Sequence, residues 1–560
     1  MLKGNLFGYT CVVLLSLLVF YLLYGSLVMN PTYVNWLMQG GDPNQHYLGW
    51  LAFRYSEWSF PIGNTNFLNY PNYSSIIFTD SIPCFAILFK LLSYLLPNTF
   101  QYFGWFGLMC FILQGVISFR ILRYFIKNDL AAGIGSVFFL LFPIFLMRMF
   151  GHTALASQWL ILLALEPILL YENFNKKSTI IIRILLLAVL ASSIHIYFIF
   201  MCGLCLFAYC LKSILETKKF KFSVCLCILY SIISLLTISL LGGFTSNSST
   251  FAIFGYGKLS ANLNFLINPQ GKSLLLESLP IYSPWQVEGF GYIGLGFITM
   301  LLICIFKFKR KLLSCFKRNW KTILPLLILI IISILYALSN IVTINNIKLF
   351  EIPLPKVIIH YLSIFRSTGR FIWIFEYILL ISSIIILSKI FKQKTFILLL
   401  SLCLFIQVID LSPMLLNVHT EFLNEKKYIK VISRKTLLNK IIETNNIKHV
   451  IITDWMAEET FYQLGNLILT NYDKITLNSF AMAHPDEEKM FKSVDFSLSN
   501  PINDELYIFP PYTVHDLRNY DLHYYNIGAL VVGVKTPVKN CKEMTKKEVE
   551  EYVKTILSQI

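Results

Sequence analysis

Long apolar runs separated by short polar or basic connectors set the pattern of this chain. Runs of spanning length cover residues 6–28, 100–122, 130–148, 155–171, 179–195, 196–212, 221–242, 289–306, 321–341, 371–389 and 395–411. About twenty apolar residues cross the hydrocarbon core of a bilayer as a helix, so the pattern predicts about eleven transmembrane helices. The run 81–97 is apolar but short, holds Lys90 and ends at Pro97. From about residue 412 the pattern changes: charge rises, and short strand-like runs appear at 448–453, 505–509 and 529–534. A helix is expected over 423–444. The segment Thr545-Lys-Lys-Glu548 is a capping box for a last helix, on which Val549, Tyr552, Val553 and Ile556 share a face. The expected fold is a multi-pass α-helical membrane domain over 1–411, including a long loop 29–99, followed by a small α/β domain over 412–560.

Composition agrees with that division. Of 560 residues, 56% are hydrophobic and only 14% charged, and the mean hydropathy is +0.63. A soluble protein could not bury so much apolar surface. The net charge of +16 falls largely in short loops, which speaks for membrane topology rather than for nucleic acid as a partner. The 12 cysteines lie mostly inside apolar runs, and Cys202 and Cys205, though in CxxC spacing, read as packing residues. The sequence has no zinc-finger spacing, phosphate loop or dinucleotide fingerprint.

Loop charge orients the spans. Basic clusters occur at Arg120/Arg123/Lys127, Lys176/Lys177/Arg183, Lys212/Lys218/Lys219/Lys221, Lys307–Arg318 and Lys389/Lys392/Lys394. If 81–97 lies on the outer surface instead of spanning, every cluster falls on the cytoplasmic face together with Lys3. The N-terminus is then cytoplasmic. The loops 29–99, 243–288 and 342–370, the turns at 148–152 and 192–195, and the C-terminal domain are then extracytoplasmic. This sorting used basic loops alone, yet it gathers most of the unusual polar residues on one side.

Those residues define the candidate site. Gln39-Gly-Gly-Asp42-Pro-Asn-Gln-His46 follows the first apolar run, and Asp80 closes the same loop. A general base needs a carboxylate beside the acceptor hydroxyl, partly desolvated. Asp42 is the first candidate; Asp80 serves either a site or the cap of the 81–97 helix. Arg366 and Arg370 stand four apart at the entry to a span, and on one helix they would face the same way toward a phosphate. Arg148 and His152 share one turn and His195 occupies the next, a candidate shared anion or metal site that Glu288 is placed to join as a metal ligand or acid. Glu166 and Glu376 fall inside spans and read as buried, paired acids. The loop 243–288, rich in Gly, Ser, Asn and aromatics, has the composition of a mobile flap or a substrate-binding loop.

In organisation the chain resembles the GT-C glycosyltransferases, multi-pass enzymes that use polyprenyl-phosphate-linked sugars. The likeness is carried by Gly41-Asp42-Pro-Asn-Gln-His46, Thr79-Asp80-Ser-Ile-Pro83, Gly151-His152-Thr-Ala-Leu and Phe365-Arg-Ser-Thr-Gly-Arg370-Phe, and it covers about residues 1–411. It implies an inverting transfer of sugar to a glycan, lipid or protein acceptor at the outer face of a bacterial inner membrane. Asp42 then serves as catalytic base or metal ligand, and Arg366 and Arg370 bind the donor phosphate. The adjacent acid pair of some members is missing, which leaves a divalent cation (Mg or Mn) open as cofactor. Two other readings stay open: a transporter or flippase of polar or lipid-linked substrates, and a ligase or polymerase of lipid-linked glycans.

Overall fold

The computed structural model describes residues 6–39, 41–174, 176–244, 256–308, 312–425, 435–454, 458–471, 475–478, 487–511, 513–528 and 530–557. The chain divides into two compact units. One comprises residues 1–30, 102–236 and 251–424, the other residues 31–101, 237–250 and 425–560.

Among the described residues, eight helices are long and apolar enough to cross a membrane: Leu6–Tyr24, Phe103–Ile126, Lys177–Ile194, Ile196–Thr217, Phe220–Leu240, Asn319–Leu338, Thr368–Ile390 and Gln393–Asp410. Three of the eleven runs expected to span form shorter helices. The run 130–148 splits into Asp129–Leu140 and Pro143–Arg148, because proline can open a helix but not continue one from the preceding turn. The run 155–171 keeps only the 11 residues Trp159–Leu169. The run 289–306 begins its helix at Leu295, after Gly294 at φ +84°. At 1.5 Å per residue, helices of 11 to 14 residues reach only about 16–21 Å.

In the first unit several polar residues of the helices pair within it. Glu166 is buried and binds Arg120 and Arg183. Gln114 and Gln158 meet on the Tyr377 hydroxyl. Glu376 departs from expectation. It is fully buried, yet neither carboxyl oxygen has a hydrogen-bond partner among the described residues. The loop expected to be a mobile flap or a substrate-binding loop is pinned over residues 256–288. Asn262 donates to Gln286 and Thr343 and to the Asn345 carbonyl, and Asn268 donates to the Leu279 carbonyl. Buried amides replace the backbone ladder that this irregular segment lacks.

The second unit holds a five-stranded mixed sheet in the order Thr476–Leu477, His449–Ile452, Glu505–Phe509, Val531–Val534, His523–Asn526. The first three strands run parallel and the last two are antiparallel. Ile451, Tyr507, Phe509, Val531, Val549 and Val553 belong to its core. The capping box forms as its sequence requires: Thr545 Oγ1 accepts from Glu548 N and Glu548 Oε2 from Thr545 N. The early segment joins this unit through its backbone, with Leu477 N donating to Phe67 O and Tyr70 N to Leu477 O. The helix 423–444 appears as Lys435–Thr444, and residues 426–434 lie outside the described residues. The helix within 81–97 is the nine-residue Pro83–Leu91, about 14 Å long and too short to cross a bilayer.

Candidate functional site

In the first unit, Arg148, Glu288 and Arg370 form one ion cluster. Arg148 Nη2 lies 2.9 Å from Glu288 Oε2, and Arg370 donates to the same oxygen through Nε at 2.8 Å. Both arginines are buried. Arg148 ends the short helix Pro143–Arg148, Glu288 sits in the turn Pro284–Gly289, and Arg370 sits in the turn Thr368–Phe371 that leads into a spanning helix. Two glycines allow the last two segments to meet. A Cβ on Gly369 would lie 2.5 Å from Gly289 Cα, and one on Gly289 would lie 2.5 Å from Ser260 O. Any larger residue at either position would push Glu288 and Arg370 apart.

Aromatic rings line the cluster. Arg370 Cζ stands 4.8 Å from the Tyr197 ring centroid and Arg148 Cζ 6.0 Å from that of Trp373. Tyr197 touches His195, and His195 touches His152, each pair at 5.3 Å between centroids. His152 N bonds Arg148 O, which closes the ring of contacts. The Tyr197 hydroxyl accepts from Ser367 N at 2.8 Å. His195 also caps the helix Ile196–Thr217, its Nδ1 accepting from Tyr197 N.

The electrostatics of this cluster fix the role of Glu288. Burial pushes its carboxyl up, but Arg370 and Arg148 outweigh burial and hold it well below the usual carboxylate range. Glu288 is thus the shared counterion of two guanidiniums. Two guanidiniums on one carboxylate leave an excess positive charge, and their planar donor sets suit a phosphate.

The pairing of Arg366 with Arg370 does not form. Two separate turns, Ser363–Phe365 and Thr368–Phe371, replace the continuous helix, with Ser367 at φ −88°, ψ 70° between them. Without helical periodicity the four-residue spacing no longer aligns side chains. Arg366 is exposed while Arg370 is buried.

In the second unit, the helix Asp42–Tyr55 starts at the expected acid. Asp42 lies in its first turn and is exposed, not partly desolvated as a general base requires. One turn on, His46 is fully buried. The segment 79–81 packs tightly on this helix at Gly49, where a Cβ would lie 2.3 Å from the Thr79 side chain. Ser81 Oγ donates to His46 O at 2.6 Å. As a result a ring nitrogen of His46 and a carboxyl oxygen of Asp80 come within 4.8 Å. An imidazole and a carboxylate at that spacing fit one divalent cation, and an imidazole in the set favours Zn or Mn over Mg. Asp80 does not cap the following helix, whose N-cap position is Ile82. It adopts φ +54°, and Ile82 φ +53°. Left-handed backbone is costly for both residues, for the β-branched Ile82 above all, and such strain is concentrated at functional positions.

Sequence reasoning missed Tyr197 and Trp373. The signal was present in His195-Ile-Tyr197 and Arg370-Phe-Ile-Trp373, where an aromatic residue follows each polar one at short range. It also missed Arg54, which donates to the carbonyls of Pro97, Asn98 and Leu96 and so ties down the end of the loop.

Among the described residues, eight helices are long and apolar enough to cross a membrane, and two buried arginines share one carboxylate at the start of one of them. The chain belongs to the family described as "Domain of unknown function (DUF6311)", whose model matches residues 13–412. No curated protein matches the sequence. Two solved structures of an Archaeoglobus fulgidus oligosaccharyltransferase are similar to it. One is tethered with an acceptor peptide containing the NVT sequon (TM-score 0.44, 11% identity, 94% of this chain and 74% of that chain). The other is a complex with Zn and sulfate (TM-score 0.45, 12% identity, 94% and 74%).

Proposed function

We propose that this chain is a membrane glycosyltransferase of GT-C type. In this reading it moves a sugar from a polyprenyl-phosphate donor to a glycan, lipid or protein acceptor at the outer face of a bacterial inner membrane. The observation that carries the reading is the cluster in which Arg148 and Arg370, both buried, share Glu288 at the entry to the helix Thr368–Ile390. A leaving phosphate is a dianion held at the headgroup level. Preorganised guanidiniums stabilise the charge as it develops on that group. A donor that already carries its phosphate needs no nucleotide-binding loop, and the sequence has none.

The reaction is a single displacement. The acceptor oxygen attacks the anomeric carbon, the bond from that carbon to the phosphate oxygen breaks, and the phosphate departs with the electron pair. The acceptor proton goes to a carboxylate. On the resemblance this is Asp42, which the fold leaves exposed so that only a bound acceptor would desolvate it, and the strained Asp80 is the second candidate. His46 and Asp80 would hold a divalent cation, which when bound would supply Lewis-acid chemistry.

One observation favours the transporter reading instead. Glu376 is an acid buried in a spanning helix with no hydrogen-bond partner among the described residues, as in proton-coupled carriers. Envelope glycans of a deletion strain, compared by mass spectrometry after complementation, separate the two readings. A missing sugar restored by wild type but not by Arg370→Ala or Asp42→Asn supports transfer. An unchanged glycan profile in the deletion strain sinks it. Restoration by wild type and lost restoration by Glu376→Gln alone, with Arg370→Ala active, favours transport.

A further inference from the structure

A basic cavity of about 950 Å³ lies in the first unit, and none of its residues belongs to the site above. Arg120, Arg123, Lys127, Arg183 and Lys389 line it, against Glu166 and Glu172. Asp129, just outside the lining, neutralises Arg123. Five cations against these three carboxylates leave an excess of two positive charges. Arg120 and Arg183 both bind Glu166, so one carboxylate serves two guanidiniums. Arg183 Nη1 is buried and has no hydrogen-bond partner among the described residues. Its guanidinium is held in place by the Phe174 ring, 5.2 Å away.

The position of the cavity indicates its ligand. Arg370 and Lys389 stand at opposite ends of the helix Ile372–Ile390, whose 19 residues span about 28 Å. That distance is close to the thickness of a bilayer core, roughly 30 Å. Arg123 lies in the last turn of Phe103–Ile126, and Tyr9 and Thr179 in the first turns of Leu6–Tyr24 and Lys177–Ile194. All these helix ends therefore meet at the same level, that of the headgroups on the side away from the Arg148–Glu288–Arg370 cluster. Beside the lining residues in the chain, Leu6, Phe7 and Ile182 are 70%, 78% and 65% exposed. A cationic cavity flanked by exposed apolar helix faces matches an amphipathic anion, with its headgroup inside and its acyl chains outside.

We propose that this cavity binds the phosphate-bearing headgroup of an anionic membrane lipid. Basic pockets between membrane helices recognise such headgroups through charge and guanidinium geometry. The same chemistry would accept free phosphate, so the test separates the two. Full-length protein in neutral detergent is titrated with phosphatidylglycerol or phosphatidylcholine, and the bound lipid is read by native mass spectrometry. Wild type should retain phosphatidylglycerol preferentially. The double variant Lys127→Glu/Lys389→Glu leaves the Glu166 pairs intact and should weaken that preference by roughly tenfold or more. If its unfolding midpoint falls, Lys127→Gln/Lys389→Gln gives the same readout without charge reversal. Equal retention of both lipids by wild type, or an unchanged preference in a folded double variant, overturns the proposal. Displacement of the lipid by millimolar inorganic phosphate overturns the lipid assignment and makes the ligand a soluble phosphate.

Discussion

Arg370 Nε lies 2.8 Å from Glu288 Oε2, across 82 residues of chain. Arg148 reaches the same carboxylate from a third segment. The acid is therefore the counterion that permits two guanidiniums to be buried together. Removing it leaves both without compensation, and removing one partner of a buried pair costs roughly 3 kcal/mol or more. Glu288→Gln should lower the unfolding midpoint measurably in detergent, whereas a surface substitution such as Glu351→Gln should not. The sign of the pH dependence follows from the depressed pKa of Glu288. Burial opposes ionisation, the two arginines prevail, and the folded value lies below the unfolded one. The stabilisation is then complete above the unfolded carboxylate value of about 4.3 and is lost as pH falls through the folded value. The midpoint difference between wild type and Glu288→Gln should be flat from about pH 5 to 9 and shrink only in stronger acid. A difference that grows or collapses near neutrality would rule out this account of the cluster.

Arg366 and Arg370 should differ sharply in function despite their similar sequence setting. Arg370 is buried on Glu288 and Tyr197, while Arg366 is exposed. Arg370→Ala should reduce glycan transfer by roughly a hundredfold, the scale of one lost electrostatic contact to a developing charge. Arg366→Ala should stay within about twofold of wild type, since surface changes rarely matter. Arg370→Lys keeps the charge but loses the forked geometry and should fall between them. Equal losses at 366 and 370 would restore the helical pairing that the structure lacks.

These cases mark what could be read from residue order alone. Hydropathy located the long helices because burial in a bilayer demands uninterrupted apolar runs. It overestimated 130–148, where Pro143 starts a new helix, and 289–306, where the chain turns at Gly294 before becoming helical. Arg148, His152, His195, Glu288 and Arg370 were visible as polar residues at the ends of apolar runs. Their mutual arrangement was not, because it depends on Gly289 and Gly369 letting two irregular segments touch. No hydrophobic period encodes such an approach. The capping box at Thr545–Glu548 was fully legible because all of its partners lie within one turn.

Lys90 should report on burial in the loop that joins the second unit. Its ammonium sits 4.1 Å from the Phe53 ring centroid and 4.4 Å from that of Trp58, and donates to Ser56 Oγ. Burial pulls its pKa down to about 8. Between that value and the unfolded value of about 10.4, the unfolded chain binds more protons than the folded one. Stability therefore gains from Lys90 as pH rises through this window. Wild type should become more stable relative to Lys90→Met between pH 8 and 10, with little change between pH 6 and 7. The opposite slope would mean that the aromatic rings favour the charged form more than burial disfavours it.

Asp80 offers a way to separate strain from chemistry. A non-glycine residue at φ +54° carries a backbone cost, of order 1 kcal/mol, that glycine does not. Asp80→Gly relieves that strain and should leave the unfolding midpoint unchanged or slightly raised. Asp80→Asn tolerates the same backbone and removes only the charge. If the carboxylate does chemistry or holds a cation with His46, both variants should lose glycan transfer while remaining folded. Metal content measured on purified protein should fall in both, and in His46→Ala as well. Should Asp80→Asn retain full transfer and metal while Asp80→Gly is inactive, the residue would matter only for backbone shape, and the search for a base would return to Asp42.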